Sequence, residues 1–343
     1  MSGANGPAKL SRRWTLLAVI AVLALGAAGL YTYQAFTRYQ QRTTGASAAE
    51  VSQVLPAGDT IIVRNTATGT GYGMLATVSA ADPDGARVLD QRACDRVYAS
   101  GPVTSCLRTV RGVPTTFEMD VLDSQGKLVE TAPLSGLPSR TRVSPGGLIA
   151  TTAFVTGHSY ATDGFSTQTE IRSSDGTDYG NLENYTLMVN GKELTAVDRN
   201  VWGVSFVDED RFYATAASGG KTWLMKGSIK ARAMSSVIQN AECPSVSPNK
   251  DKVAYKKRSP RLGPVHWDIA VLDLATGKET SIPLDDGFDD QLEWLDNDTL
   301  LFGQPRAGEV GDSDIYKVRA QKNAVPELFI EHAWSPSVQR TGR

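Results

Sequence analysis

The chain has 343 residues, and its 35 Lys and Arg residues nearly balance its 37 Asp and Glu residues, for a net charge of -2. This balance removes the electrostatic reason to expect nucleic acid as a partner. A hydrophobic content of 41% fits an ordinary packed core, and 32 Gly with 16 Pro indicate many tight turns, as short strands require.

The first element in chain order is an uncharged apolar run over residues 14–33. About 20 residues at 1.5 Å rise span roughly 30 Å, the thickness of a bilayer's hydrocarbon core. Lys9, Arg12 and Arg13 precede the run, so the positive-inside rule predicts that residues 1–13 are cytoplasmic. A cleaved signal peptide is the alternative, because the run contains small residues at a possible processing site. Either way, we expect the rest of the chain on the extracytoplasmic side of the cell membrane.

The next segment, residues 34–58, is rich in Gln, Thr, Ser, Ala and Gly, which predicts a linker. From Asp59 onward, short runs of β-branched and aromatic residues alternate with Gly, Pro, Asp and Asn. Helical periodicity is almost absent, so residues 59–343 are predicted to form an all-β domain.

One phrase recurs along this domain: an apolar residue, a Ser-Pro or acidic turn, and then a strand. Its copies begin at Tyr98, Val143, Phe206, Val246, Trp294 and Trp334. The spacings between them are 45, 63, 40, 48 and 40 residues. A four-stranded, WD40-like blade takes about 40 to 50 residues, so the phrase predicts a six-bladed β-propeller.

The last copy of the phrase leaves room for a single strand, over residues 333–338. Three strands are available in residues 60–90, ahead of the first copy. We therefore expect the C-terminal strand to complete a blade whose other strands come from the start of the domain, which closes the ring and removes its open edges.

The three cysteines have one natural pairing outside the cytoplasm. Cys94 and Cys106 flank a Gly-Pro turn that can fold two strands side by side, which predicts a disulfide and leaves Cys243 unpaired. Three buried thiols are the alternative.

Two groups of polar residues are weak candidates for binding sites. Carboxylates in one acidic stretch could contribute oxygen ligands to calcium; they are Asp285, Asp286, Asp289 and Asp290. Asp-Gly turns are also common without any metal, because Asp caps its own backbone. No other metal or cofactor is expected.

The long spacing of 63 residues predicts an insertion over residues 157–182. Long loops often bind partners, and the candidates in this one are His158, Tyr160, Phe165 and Tyr179. A solvated loop with a short extra hairpin is the alternative.

The Ser-Pro-x-Gly/Asn turn and the stretch Asp-Ile-x-x-Leu-Asp-Leu-x-Thr-Gly-Lys at residues 268–278 resemble the repeats of TolB-like propellers. The resemblance is clearest over residues 243–318 and looser over 93–338. It implies a six-bladed ring outside the cytoplasm that docks protein partners on its loop faces. Periplasmic TolB proteins carry an α/β domain before the propeller, whereas this chain has only residues 34–58 there.

Two classes of function follow. The first is a non-catalytic binding or scaffold propeller of the cell envelope, with an unidentified envelope protein as its partner. The alternative is an extracytoplasmic lyase or hydrolase with its site in the central channel. The sequence has no nucleophile elbow, phosphate-binding loop or zinc motif, so no catalytic residue is predicted. Glu293, beside Trp294, is the one residue suggestive of an enzyme.

Overall fold

The folded domain is a ring of six sheets, each forming one blade. It is seen in a computed structural model that describes residues 12–155, 166–260 and 266–341. One long helix precedes the ring. The prediction of an all-β, six-bladed propeller behind a single N-terminal helix is confirmed.

Each blade is numbered in chain order, and its strands are given from the innermost outward. Blade 1 is β5 (Arg96–Ser100), β6 (Val103–Val110), β7 (Thr116–Leu122) and β8 (Leu128–Pro133); blade 2 is β9 (Leu137–Val143), β10 (Leu148–Val155), β11 (Ser166–Ser173) and β12 (Asp178–Asn181). Blade 3 is β15 (Asn200–Phe206), β16 (Arg211–Ser218), β17 (Lys221–Ser228) and β18 (Ala233–Gln239), extended outward by β13 (Thr186–Val189) and β14 (Lys192–Glu193).

Blade 4 is β19 (Glu242–Val246), β20 (Lys252–Arg258), β21 (Trp267–Asp273) and β22 (Glu279–Ile282); blade 5 is β23 (Glu293–Trp294), β24 (Thr299–Pro305), β25 (Ser313–Arg319) and β26 (Glu327–Ile330). Blade 6 is β27 (Ala333–Gln339), β2 (Thr60–Asn65), β3 (Met74–Ser79), β4 (Arg87–Ala93) and β1 (Val51–Ser52). A 3-10 turn, Leu182–Asn184, connects blades 2 and 3.

The N-terminal helix, α1 (Arg12–Thr43), continues ten residues beyond the predicted end of the apolar run. It is long and apolar enough to cross a membrane, with a mean hydropathy of 2.1 over its most apolar window. Residues 34–43 contain no Gly or Pro that would end a helix. This part of the predicted linker is therefore helical.

The rest of the predicted linker packs on blade 6. The N–H of Gly69 donates to the carbonyl of Arg42 (2.8 Å) and the N–H of Ala48 donates to the carbonyl of Thr68 (2.8 Å). Strand β1 then pairs in parallel with β4. These backbone hydrogen bonds fix the segment to the ring, so residues 34–58, predicted as a linker, form the end of α1 and a segment that packs on blade 6.

Among the described residues the hydrophobic core forms seven clusters. Six of them lie one between each pair of neighbouring blades, and the seventh, of Trp202, Ala217 and Cys243, is a second, small cluster between blades 3 and 4. Blade 5 shows how this arises on β24. Leu301 packs toward blade 6, while Leu300 and Phe302 pack toward blade 4. Successive side chains of a strand point to opposite faces, so each blade buries apolar residues on both faces.

The ring closes through antiparallel pairing of the C-terminal strand with the first strand of the domain. Thr60 pairs with Gln339 and Asn65 with Ala333, with a bulge between them. Blade 6 therefore joins both ends of the domain.

The Ser-Pro of the sixth phrase does not form a turn as the other copies do. Ser335 and Pro336 lie within β27, beside the bulge, where Ser335 has φ of +55°. Proline lacks an N–H for the ladder, and a bulge is where a strand accommodates it. The hydroxyls of Ser335 and Ser337 instead bond the backbone of β5 at Val97 and Ala99.

The predicted insertion is also placed differently. Much of residues 157–182 forms the ordinary strands β11 and β12 of blade 2. The additional hairpin, β13 and β14, follows this segment and joins the outer edge of β18. Spacing alone could not separate these parts, because both lie between the second and third copies of the phrase.

The predicted disulfide between Cys94 and Cys106 is present, with a Cα–Cα distance of 5.5 Å. Cys106 lies on β6, and Cys94 lies in the connection from blade 6 to blade 1. Both sulfurs belong to the apolar cluster between these two blades. Cys243 is free and buried.

Deleting β27, so that the chain ends at His332, is expected to abolish the cooperative unfolding transition. The deletion exposes the inner edge of β2 and the cluster between blades 5 and 6, a loss comparable to a domain's whole stability of about 5–15 kcal/mol. Thermal unfolding followed by circular dichroism measures this. A chain shortened only to Thr341 is the control, and an unchanged melting temperature without β27 would refute the closure.

Replacing both Cys94 and Cys106 by Ala is expected to lower the free energy of unfolding by about 3 kcal/mol, the entropic effect of opening a loop of this length. Urea unfolding of oxidised and reduced protein measures the difference. Reductant should destabilise the parent protein and leave the double variant unchanged. Equal sensitivity of the two proteins would contradict the prediction.

Candidate functional site

The six inner strands run in the same direction around a central channel, so the ring has two distinct faces. The helix-side face is the end where the inner strands begin and where α1 meets the ring. The far face is the opposite end. At the far face the channel widens into a cavity of about 650 Å³, to which the ends of all six inner strands contribute.

The recurring turn builds the rim of this cavity. In blade 2, the Ser144 hydroxyl accepts the N–H of Leu148 (2.8 Å) and donates to Glu209 of blade 3 (2.7 Å). In blade 4, the Ser247 hydroxyl accepts the N–H of Lys252 (3.0 Å). The serine thus satisfies a backbone N–H at the start of the second strand and holds the following proline at the mouth.

Glu293 is the centre of the polar network in the cavity. It lies on β23 and is 4% exposed. Its Oε1 accepts the Tyr98 hydroxyl (3.4 Å) and the N–H of Val338 (3.3 Å), and its Oε2 lies 3.5 Å from Nη2 of Arg142. The Arg142 guanidinium also stacks on the Tyr98 ring, 4.2 Å from its centroid. This network joins blades 1, 2, 5 and 6.

Removal from water decides the protonation of these groups. Burial raises the pKa of Glu293 above its usual value, although Arg142 and then Arg340 act in the opposite direction. Burial, followed by the neighbouring Glu293 carboxylate, raises the pKa of the Tyr98 hydroxyl. Tyr98 therefore stays protonated and acts as a hydrogen-bond donor at neutral pH.

Positive charge predominates on the cavity wall. The lining residues include three cationic side chains, Arg142, Lys250 and Arg340, against the one carboxylate of Glu293. Arg340 donates to the carbonyls of Trp294 (2.5 Å) and Leu295 (3.2 Å), which holds it at the mouth. Lys250 is exposed on the rim. Such a cavity suits an anionic group rather than a cation.

On the helix side, the channel holds two of the carboxylates suggested for calcium. Asp289 pairs with Lys256 and lies 3.8 Å from Arg140, while Asp290 lies 3.4 Å from Arg96. Partial removal from water acts to raise the pKa of Asp289, but Lys256 and then Arg140 hold it below its ordinary value. Burial lowers the pKa of Arg96 to about 10.

The four candidate calcium ligands do not converge. Asp285 and Asp286 are exposed, whereas Asp290 is buried and accepts the N–H of Gly303 (3.2 Å). In the part of the chain that the structure describes, no three His, Cys, Asp or Glu residues form a group that could hold a metal ion. Calcium binding here stays a prediction from sequence alone.

Of the four candidates for partner binding, Tyr179 lies among the described residues. His158, Tyr160 and Phe165 lie outside the described residues. Tyr179 lies on β12 and packs, partly buried, against the core between blades 2 and 3. It is therefore not the exposed loop aromatic that the sequence suggested.

Sequence reasoning missed Tyr98, Arg142 and Arg340 as members of the site. One signal could have found Arg142: the residue directly before the apolar residue of the phrase lines the channel in blades 2 to 5. Reading that position gives Arg142, Ser205, Ser245 and Glu293. A charged residue where an inner strand is otherwise small or apolar predicts a channel-facing group.

Comparison with known proteins shows the fold. No protein-family model and no curated protein matches the chain. Among solved structures, TolB from Acinetobacter baumannii superposes with a TM-score of 0.57 at 13% identity, over 82% of this chain and 66% of that one. This chain thus spans just under two thirds of that TolB.

Two further structures match less well. A putative TolB from Agrobacterium tumefaciens has a TM-score of 0.47 at 10% identity, over 87% of this chain and 100% of that chain. A puromycin-hydrolyzing peptidase from Mycobacterium tuberculosis has a TM-score of 0.47 at 11% identity, over 84% of this chain and 46% of that one. The likeness is one of architecture: the chain has the TolB-like six-bladed β-propeller fold, behind one N-terminal apolar helix.

Proposed function

We propose that this protein is a membrane-anchored binding propeller, with its ring outside the cytoplasm, which takes an acidic segment of a partner protein into the far-face mouth. The observation that carries the proposal is the cavity of about 650 Å³ whose lining has three cationic side chains and one carboxylate. Rim charges of this kind steer an oppositely charged partner and fix its register.

The position of α1 supports the choice of face. The helix meets the ring on the helix-side face, where Arg111 lies over the Tyr39 ring at 5.2 Å. A helix that spans the membrane would hold this face toward the bilayer. The far face would then be directed away from it and open to a partner.

The bonding of Glu293 favours binding over catalysis. Both of its oxygens are engaged, by Tyr98 and the Val338 N–H on one side and by Arg142 on the other. A general acid or base must reach the proton that it transfers. Glu293 instead joins the inner strands, and the cations at the rim remain available to a ligand.

A photo-crosslinking amino acid at Lys250 is expected to capture a partner in cells that make the full-length protein. Lys278 is the matched control, because it is an exposed lysine on the same face of the same blade but in the outer turn. Gel shift and mass spectrometry identify the adduct. Lys250→Glu should weaken capture from a crosslinker at Pro248, and Lys278→Glu should not.

Equal adducts from positions 250 and 278, or capture that Lys250→Glu leaves unchanged, would refute recognition at the mouth. Capture that falls as salt is raised is also expected, because exposed charges are screened within about 10 Å at 0.1 M salt. An adduct that survives high salt unchanged would contradict the charge argument.

Glu293→Gln is expected to gain stability relative to the parent protein as the pH rises. Because the pKa of Glu293 is raised in the folded state, its neutral form favours folding below the usual value of 4.5, and this contribution is lost as the pH rises through the folded pKa. Glutamine is neutral throughout. Melting temperatures of both proteins from acidic to neutral pH measure the difference.

The prediction would be contradicted if the parent protein gained melting temperature relative to Glu293→Gln as the pH rises. In that case the ion pair with Arg142 would stabilise the Glu293 carboxylate by more than burial destabilises it. Binding provides a second readout. Glu293→Gln should retain partner capture from a crosslinker at Pro248, because the cations of the rim are unchanged.

A further inference from the structure

We propose that the helix-side face rests on the lipid surface, with two loops touching the headgroups on either side of α1. The first is the blade 1 loop, residues 111–115 between β6 and β7, and the second is the blade 5 loop, residues 306–312 between β24 and β25. This inference rests on the proposed role of α1 as a membrane anchor and goes beyond it, because a tether alone does not orient the ring.

Direct contacts place both loops beside the end of the helix. The Arg111 guanidinium lies 5.2 Å from the centroid of the Tyr39 ring. On the other side, the Tyr72 hydroxyl donates to the Gly311 carbonyl (2.9 Å). A β-carbon on Gly311 would lie 2.6 Å from Nη1 of Arg42, so this loop packs closely against the last turn of α1.

The length of the helix puts the blade 1 loop close to the headgroups. The apolar run ends at Tyr33, the first charge after it is Arg38, and Tyr39 lies about 9 Å beyond Tyr33 along the axis. Headgroup layers extend roughly 5–7 Å beyond the hydrocarbon core, and an average tilt of about 20° lowers the end of the helix further. The backbone at Tyr39 therefore lies just outside the headgroup layer, and the side chains of a loop in contact with Tyr39 can reach the headgroups.

Each loop presents an exposed valine. Val113 is fully exposed and Val310 is 81% exposed. A single exposed valine is ordinary on a protein surface. Here both valines lie in the loops that contact the membrane-proximal end of α1, where the interface can accept apolar side chains.

The charges around the helix end complement a lipid surface. Arg38, Arg42 and Arg111 lie there, and none of them forms a salt bridge with any residue in 12–155, 166–260 or 266–341. On the blade 5 loop, Glu309 is an exposed opposing charge, and the buried Asp312 is paired with Arg306 and His332. The excess of arginine favours anionic headgroups, which attract basic segments near the membrane.

The test uses the full-length protein in liposomes, with an environment-sensitive fluorophore on Val113→Cys and nitroxide-headgroup lipids as quencher. Val325→Cys is the matched control: this valine is 77% exposed and lies between β25 and β26 on the far face. The parent protein, treated with the same fluorophore, measures the labelling of its own free cysteine. This labelling should be low, because Cys243 is only 2% exposed. We expect quenching at position 113 to be several-fold stronger than at 325.

Val310→Cys gives a second, independent readout from blade 5 and should be quenched like 113. Adding anionic lipid should increase the quenching of a fluorophore at position 113. The increase should be smaller in a protein that also carries Arg111→Gln. Protein that floats with the liposomes but is quenched equally at 113, 310 and 325 would overturn the inference while leaving the anchor intact. Protein that fails to float would overturn the anchor, and this inference with it.

Discussion

The structure depends on one constraint: every blade has two apolar faces, and no blade can bury both by itself. On β24, Leu301 and Phe302 are consecutive and both fully buried, but they belong to the cores on opposite sides of blade 5. Each blade therefore needs two neighbours, and only a closed ring gives every blade two. The pairing of β27 with β2 is the step that meets this condition, which makes the end of the chain essential to residues far from it in sequence.

Closure also produces the candidate site. Six inner strands meeting at one axis leave a channel in which side chains from different blades are forced together. Polar groups that are buried there must find partners in the ring, since an unpaired buried polar group is costly. Glu293 accepts from blades 1 and 6 and pairs with blade 2, which consumes its oxygens. The positive charges at the rim, on Lys250 and Arg340, remain available to contact a ligand.

The parts of this architecture that the sequence revealed are the local ones. A Ser-Pro turn is recognisable because Ser144 satisfies a backbone N–H only four residues away. The contacts that sequence reasoning missed are non-local: the Tyr98 hydroxyl meets Glu293 across 195 residues. Ser335 and Pro336 match the Ser-Pro of the recurring phrase, but they lie at a β-bulge within a strand and not in a turn. The length of α1 was missed because polar residues that suit a linker also suit an exposed helix.

The connection from α1 to the ring brings the N-terminal helix, the closure and the disulfide onto one blade. The segment after the helix adds β1 to the outer edge of blade 6, the same sheet whose inner edge is β27. A load applied through the helix would thus enter blade 6 at its outermost strands, and the non-covalent pairing of β27 with β2 lies at the opposite edge of that sheet. Cys94 leaves blade 6 directly after β4 and is covalently joined to Cys106 of blade 1. The disulfide therefore connects the end of β4, the strand that pairs with β1, to the neighbouring blade, so that part of such a load bypasses the pairing on which the ring depends.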